Sequence, residues 1–137
     1  MNSEILSKDG LNKNLRMPPE EYAKKLWDWT PLNKCFERGI RIPDVDGLVE
    51  TNYHFLCLEG KSKNASLSKG QRMLLERLAK LSQFTVIVFK GDPPNLSTIT
   101  EWEVLGKQKH RGNFQEFFNF IRKWFNWAEK DNIRNKG

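Results

Sequence analysis

The stretch FTVIVFKG, at residues 84–91, is apolar at nearly every position. A strand with one solvated face alternates apolar and polar residues, whereas a strand covered on both faces forms a continuous apolar run. We therefore expect residues 84–91 to form a strand inside a sheet, with other elements packed above and below it. The rest of the chain must then supply the neighbouring strands and the covering helices.

Two β-like runs precede this strand and are predicted to form a hairpin. They are RIPDVDGLVE, at residues 41–50, and YHFLCLEGK, at residues 53–61. Thr51 and Asn52 lie between the two runs and are compatible with a tight turn.

Helical patterns surround the strands. Residues 18–29 begin with prolines and acids, residues 71–81 have one apolar face, and residues 113–130 carry an aromatic stripe. The predicted face of the middle helix is Met73, Leu74, Leu78 and Leu81, and that of the last helix is Phe114, Phe117, Phe118, Ile121, Trp124, Phe125 and Ala128. Residues 101–106, EWEVLG, are a short candidate strand.

The middle helix is a crossover, which makes the second and third strands parallel neighbours or near neighbours. The predicted fold class is therefore α/β, a mixed β-sheet flanked by helices in the order α-β-β-α-β-(β)-α. Residues 1–17 are predicted to be a polar N-terminal tail, and residues 18–137 a single domain.

The net charge and the cysteine content indicate the kind of partner and the cellular compartment to expect. The formal net charge is +6 and the pI is about 9.4, which favours a polyanionic partner, because a basic surface attracts phosphate backbones. Cys35 and Cys57 form no CxxC pair or disulfide framework, which fits a reducing compartment. No signal peptide or membrane-spanning run is visible, so we expect an intracellular, cytoplasmic protein that does not enter a membrane.

Four charged residues lie at the ends of the predicted hairpin, namely Asp44, Asp46, Glu59 and Lys61. Side chains alternate along a strand, so Asp44 and Asp46 share one face, as do Glu59 and Lys61. The two carboxylate sets would repel one another unless a cation lay between them.

The turn decides which residues face each other. If residues 51–52 form the turn, Asp44 falls opposite Glu59; if residues 52–53 form it, Asp46 does. Both registers put the charged residues on the same face of the sheet, and only an odd loop or a bulge would separate them.

This arrangement suits metal-dependent phosphate chemistry. Clustered carboxylates are the oxygen ligands that Mg²⁺ or Mn²⁺ prefers, and a bound metal can activate water and stabilise charge on a phosphoryl group. Lys61, two residues beyond Glu59, could orient the water or stabilise the negative charge.

The pattern resembles the PD-(D/E)xK nuclease superfamily, and PDVDGLVE, FLCLEGKS, GQRMLLERL and FTVIVFKG are similar to its small phage-encoded and prophage-encoded members. The positions that carry the resemblance are Pro43-Asp44, Glu59-Gly60-Lys61 and Gln71. It covers roughly residues 20–90 and implies a restriction-endonuclease-like fold and a deoxyribonuclease that cleaves DNA phosphodiester bonds by metal-activated water attack. A phage-encoded member would act in the host cytoplasm.

The resemblance also assigns roles. Asp44, Asp46 and Glu59 would bind Mg²⁺ or Mn²⁺, Lys61 would assist the water, and Gln71 would support the site. We therefore expect these five residues to be catalytic.

Two further points bear on the assignment of these catalytic roles. Gly60 departs from the family, where the middle residue is usually apolar, and a glycine there can indicate a bulge that displaces Lys61. Some members add a glutamate from the first helix, for which Glu20, Glu21 and Glu37 are candidates.

Basic residues next to the predicted site are candidates for DNA binding, namely Lys63, Lys69 and Arg72. A second basic group precedes the last helix and consists of Lys107, Lys109, His110 and Arg111. Phe120 and Trp127 lie off the main stripe of that helix, and they are open to three interpretations: a homodimer contact, a base-stacking surface, or more core.

Other interpretations of the motifs fit the sequence less well. EGKS resembles a phosphate-binding loop, but that motif needs a glycine at the position of Phe55. His54 and Cys57 face opposite sides of a strand and make a poor pair of metal ligands. Three alternatives to an enzyme stay open: a surface hairpin with solvated charges, a catalytically degenerate DNA-binding or accessory module of phage replication or recombination, and a plain protein-interaction domain.

Overall fold

The computed structural model describes residues 18–24 and 26–131. They fall into two compact units, the first ending at Asp44 and the second beginning at Val45. The first unit contains two short helices, α1 (Pro19–Lys24) and α2 (Thr30–Asn33). The predicted N-terminal tail lies outside the described residues.

The second unit is a five-stranded mixed sheet with the strand order β1-β2-β3-β4-β5. The strands are β1 (Gly47–Thr51), β2 (His54–Ser62), β3 (Phe84–Gly91), β4 (Glu101–Val104) and β5 (Lys109–Arg111), and the helices are α3 (Lys69–Ala79) and α4 (Phe114–Lys130). Strands β2 and β3 are parallel and the other pairs are antiparallel. The predictions of a mixed sheet and of a parallel pair joined through a helix are confirmed.

Residues 52–53 form the turn of the β1–β2 hairpin, so Thr51 pairs with His54 and Gly47 with Leu58. Asn52 and Tyr53 both have positive φ, 51° and 67°, as a tight two-residue hairpin turn requires. The Asn52 side chain also donates to the carbonyls of Ala128 and Asp131, which fastens the turn to the end of α4.

Strand β3 is covered on both faces, as its sequence predicts. Val86 and Val88 pack with Leu75 of α3 on one face, and Ile87 packs with Trp124 of α4 on the other. Alternation along β3 thus assigns α3 and α4 to opposite sides of the sheet.

Of the predicted face of α3, Leu78 is confirmed, because it packs against the core. The prediction is wrong for Met73 and Leu74, which are exposed, and for Leu81, which is exposed and lies beyond the end of the helix. Leu75 is buried instead, and Ala79 is partly buried. Gln71 precedes Leu75 by one turn and therefore lies on the stripe that faces the sheet.

Along α4, Phe117, Ile121, Trp124 and Ala128 do pack into the core, as predicted. Phe118 and Phe125 are instead exposed, at the margin of this stripe. Phe120 is partly buried against the core, with its ring tilted against those of Trp102 and His110.

The predicted element order needs three corrections. The segment 30–33, expected to be a break, forms α2, and residues 101–111 form the β4–β5 hairpin rather than one strand. Strand β5 has only three residues and no apolar pattern to reveal it. The first strand begins at Gly47 rather than at residue 41, and Pro43, which has no N–H to donate, lies outside it. Within the described segments, no helix is long and apolar enough to cross a bilayer.

Candidate active site

The carboxyl ends of the two parallel strands carry the charged residues of the candidate site. Glu59 and Lys61 lie near the end of β2, and Lys90 lies near the end of β3. In open α/β sheets, ligands bind outside the carboxyl ends of the strands. This edge is therefore where a site is expected on topological grounds.

Glu59 is a buried carboxylate, with 5% of its surface exposed. It follows Cys57 by two positions and so shares the α3 face of the sheet. A buried charge requires polar partners, and two are present: Gln71 Nε2 donates to Glu59 Oε2 at 2.9 Å, and Lys61 Nζ lies 3.7 Å from the same oxygen.

Asp46 is the second carboxylate, and it is held by the backbone of β2. Its Oδ2 accepts a hydrogen bond from the Gly60 amide at 2.8 Å. Extending the Gly47–Leu58 pairing by one residue sets position 46 across from position 59. Of the two predicted registers, the structure therefore has the one that brings Asp46 opposite Glu59.

The two carboxylates affect each other electrostatically. Burial raises the pKa of Glu59 most, and the negative charge of Asp46 raises it further, while Lys61 and Gln71 lower it. The same two carboxylates add to burial in raising the pKa of the Cys57 thiol.

Gln71 is placed by the start of α3. Ser68 caps the helix, and its Oγ accepts the Gln71 amide at 3.2 Å. The backbone of Gln71 is thereby fixed in the first turn while its side chain reaches Glu59, so the predicted supporting role has a geometric basis.

Gly60 does not introduce a bulge. The β2–β3 pairing runs without interruption through Glu59, Gly60 and Lys61, opposite Val88, Phe89 and Lys90. A Cβ on Gly60 would lie 2.7 Å from Phe89 Cζ, so the residue is glycine because the Phe89 ring covers it.

Lys90 is a further candidate that sequence reasoning missed. It pairs with Lys61 across the parallel strands, and alternation puts both on the α3 face. The sequence held a signal, because the second and third strands both have a glycine next to a lysine near their carboxyl ends.

A cavity of about 170 Å³ adjoins the candidate site. Its walls include Asp46, Gly60, Lys61 and Phe89, together with the loop that follows β3. The space can hold several water molecules, so the Asp46 carboxylate and the Lys61 ammonium have access to solvent.

The carboxylates of the candidate site are few for a divalent cation held by protein ligands alone. Among the residues that the structure describes, no group of three or more His, Cys, Asp and Glu side chains is arranged to hold a metal. Asp46 and Glu59 form a pair, and Mg²⁺ is usually bound by one or two carboxylates, with waters and phosphate oxygens as the other ligands. The pair therefore fits Mg²⁺ or Mn²⁺, and the repulsion between the carboxylates is what a cation would relieve.

The remaining predicted acids lie in the first unit. Asp44 is exposed and is the last residue of that unit. Glu20 and Glu21 are exposed on α1, and Glu37 is exposed beside Arg38. Their roles as ligands stay predictions.

The basic residues predicted to bind DNA differ in their surroundings. Lys69 is exposed at the start of α3, and Lys63 lies 3.5 Å from Asp92. Arg72 is bound at 3.0 Å by both Glu76 and Glu103, so its charge is largely balanced within the protein.

Comparison of this chain with protein-family models, with curated proteins and with solved structures found no match.

Proposed function

We propose that this chain is a Mg²⁺- or Mn²⁺-dependent deoxyribonuclease that hydrolyses DNA phosphodiester bonds, with a restriction-endonuclease-like fold. The observation that carries the proposal is the pairing of Asp46 with buried Glu59, beside Lys61, at the carboxyl end of the parallel strands. A buried carboxylate next to a second one is costly for folding, and such costs are concentrated at functional sites.

Each residue has a role that follows from its contacts. Asp46 and Glu59 would hold the metal, and Gln71 keeps Glu59 oriented through its hydrogen bond. When bound, the metal would supply a Lewis acid for a phosphate oxygen and a more acidic water. Lys61 is 24% exposed, so its ammonium can reach both the carboxylate and a phosphate at the surface.

The reaction adds water across a phosphate ester. The water oxygen bonds to phosphorus, the ester P–O bond breaks, and the leaving oxygen takes up a proton. Negative charge increases on the phosphoryl oxygens, where Lys61 can stabilise it electrostatically. Lys90, in register with Lys61, would add positive charge for the DNA backbone.

Cleavage assays with two substitutions test the proposal. Supercoiled, linear and branched DNA would be incubated with and without Mg²⁺ or Mn²⁺. We expect metal-dependent cutting that falls about 10²- to 10³-fold in Lys61→Ala, the usual loss when one charge-stabilising donor is removed, and at least as far in Glu59→Gln.

Glu50→Gln is the matched control. Glu50 is an exposed carboxylate on β1 that accepts the Tyr53 amide, and a glutamine can still accept that bond. Its cutting should equal that of the native protein. Undiminished cutting by Glu59→Gln would overturn the site.

A second candidate function is a DNA-binding or accessory module without catalysis. The observation that favours it is the small number of acidic ligands, because the candidate site has two carboxylates and the described residues contain no group of three that could hold a metal. Salt-sensitive DNA binding without cutting of any substrate, with either metal, would support the module and reject the nuclease.

A further inference from the structure

A second concave surface lies between α4 and the β4–β5 hairpin, and it is here called the aromatic groove. Its volume is about 620 Å³, within the range of roughly 300–1,000 Å³ that is typical of ligand pockets. The residues that define it are Lys107, His110, Phe120, Lys123, Trp124 and Trp127. It lies on the α4 face of the sheet, opposite the face that carries Glu59.

The inner wall of the aromatic groove is held in place by contacts within the fold. Trp124 is buried, and its Nε1 donates to Thr85 Oγ1 at 3.1 Å. Phe120 and His110 contact each other with ring centroids 4.8 Å apart. A ligand would therefore meet a preformed surface rather than one that must be ordered on binding.

Trp127 remains open to solvent. Its side chain is 50% exposed, although its ring lies 4.4 Å from that of buried His54. This contact restrains the indole on one side while a large part of its surface stays free. A restrained and accessible aromatic ring is suited to stacking with a planar ligand.

The charges at the groove select the class of ligand. Lys107 and Lys123 are both exposed and line it, and among the described residues that line it there is no aspartate or glutamate. An aromatic surface flanked by cations fits a molecule that has planar rings and negative charge. Nucleic acid combines the two, and the basic net charge of the chain agrees with it.

Single-stranded nucleic acid fits better than a duplex. In a duplex the base faces are stacked on one another and cannot reach an aromatic wall, whereas an unpaired base can stack on it. We propose that the aromatic groove binds a single-stranded segment of nucleic acid, with a base stacked on Trp127 and the flanking phosphates at Lys107 and Lys123. This binding does not depend on the proposed nuclease activity.

Oligonucleotide binding tests the proposal. Labelled oligo(dT) would be titrated in EDTA with the full chain, so that no cutting takes place. We expect Trp127→Ala to bind roughly 5- to 100-fold more weakly, the usual loss of one base–aromatic stack, and Trp127→Phe to recover part of the affinity. Phe118 is an exposed aromatic residue of α4 outside the groove lining, and the control Phe118→Ala should bind as the native protein does.

The phosphate contacts have a separate readout. In Lys107→Ala and Lys123→Ala, the slope of log affinity against log salt should become shallower by about 0.7 per lost contact. Lys80→Ala, at an exposed position after α3, should keep the native slope. An abasic strand of equal charge should bind more weakly and should not respond to Trp127→Ala.

Three results would overturn the proposal. They are native affinity in a folded Trp127→Ala protein, equal affinity for the abasic strand, and a dimer that Trp127→Ala converts to monomers without any change in oligonucleotide binding. Circular dichroism of each variant establishes folding, and Trp127→Phe supplies the comparison if Trp127→Ala does not fold. Loss of cutting in Glu59→Gln with unchanged oligo(dT) binding would separate this groove from the nuclease site.

Discussion

At the scale of single residues, Glu59 combines opposing interactions. Burial and the charge of Asp46 disfavour its ionised form more than Lys61 and Gln71 favour it, so the pKa of Glu59 is raised. Ionised Glu59 therefore reduces the stability of the folded state at neutral pH. A cost of this kind is expected where a carboxylate serves binding or catalysis.

Glu59→Gln should raise the free energy of unfolding at neutral pH in metal-free buffer. With a raised pKa, folded Glu59 holds a proton that the unfolded chain has released, so native stability falls as pH rises from the ordinary glutamate value through the raised one. Glutamine cannot ionise and keeps the stability that the native protein loses. Urea unfolding at pH 7 and at pH 4 measures the free energy of unfolding of both proteins. We expect the extra stability of the variant to be smaller at pH 4 than at pH 7. A stability gain that is larger at pH 4 than at pH 7 would contradict a raised pKa for Glu59.

Gly60→Ala should destabilise the fold by about 1–3 kcal/mol, the usual cost of overpacking a well-packed site. The added Cβ would lie 2.7 Å from Phe89 Cζ. Gly70→Ala is the control, since no heavy atom in the described part of the chain lies within 4 Å of its added Cβ, and alanine is favoured over glycine in a helix. Chemical denaturation measures the free energy of unfolding of both variants. Equal stability of the two would show that the Phe89 ring can move aside at little cost.

At the scale of elements, the orientation of α3 determines whether Gln71 can serve the site. The buried stripe runs through Leu75, Leu78 and Ala79, and one turn earlier it reaches Gln71. Leucines lie on more than one side of this helix, so the sequence pattern selected a face displaced from the true one. Only packing against Val86 and Val88 of the sheet fixes the rotation.

Gln71→Ala should lower cleavage by roughly 10- to 100-fold, as is common when a residue that orients a metal ligand is lost. Gln71 lowers the pKa of Glu59 through its hydrogen bond, so the acid limb of the pH–rate profile should also move to higher pH. Met73→Ala, an exposed change on the same helix, is the control. A fall in rate without any shift of the acid limb would mean that Gln71 does not act through Glu59.

At the scale of the whole molecule, the sheet separates two kinds of surface. Its α3 face carries the carboxylates with Lys61, and its α4 face carries the aromatic groove with Lys107 and Lys123. The homodimer contact expected of Phe120 and Trp127 stays a prediction, since Phe120 packs in the core while Trp127 is half exposed.

Mg²⁺ should raise the melting temperature of the native protein. A ligand that binds only the folded state adds about 2.7 kcal/mol of stability at roughly 100 times its Kd. Asp46→Asn and Glu59→Gln should lose the shift and Glu50→Gln should keep it. The shift should weaken as pH falls through the raised pKa of Glu59, because the ligand must be deprotonated. Equal shifts in native protein and Glu59→Gln would remove this pair as the metal ligands.

The features that depend on local pattern could be predicted from the amino-acid sequence. The apolar run at 84–91 identified the buried strand, and the helix between the second and third strands identified their parallel pairing, because a crossover requires it. Alternation along β2 likewise put Glu59 and Lys61 on one face.

Other features were decided by tertiary structure alone. Whether Asp44 or Asp46 lies opposite Glu59 depends on which residues form the hairpin turn. The turn at residues 52–53 is stabilised by hydrogen bonds from Asn52 to the distant end of α4. Lys90 joined the candidate site only through the register of the parallel strands. Strand periodicity specifies which face a side chain takes, whereas which residues become neighbours depends on pairing between segments that are distant in the chain.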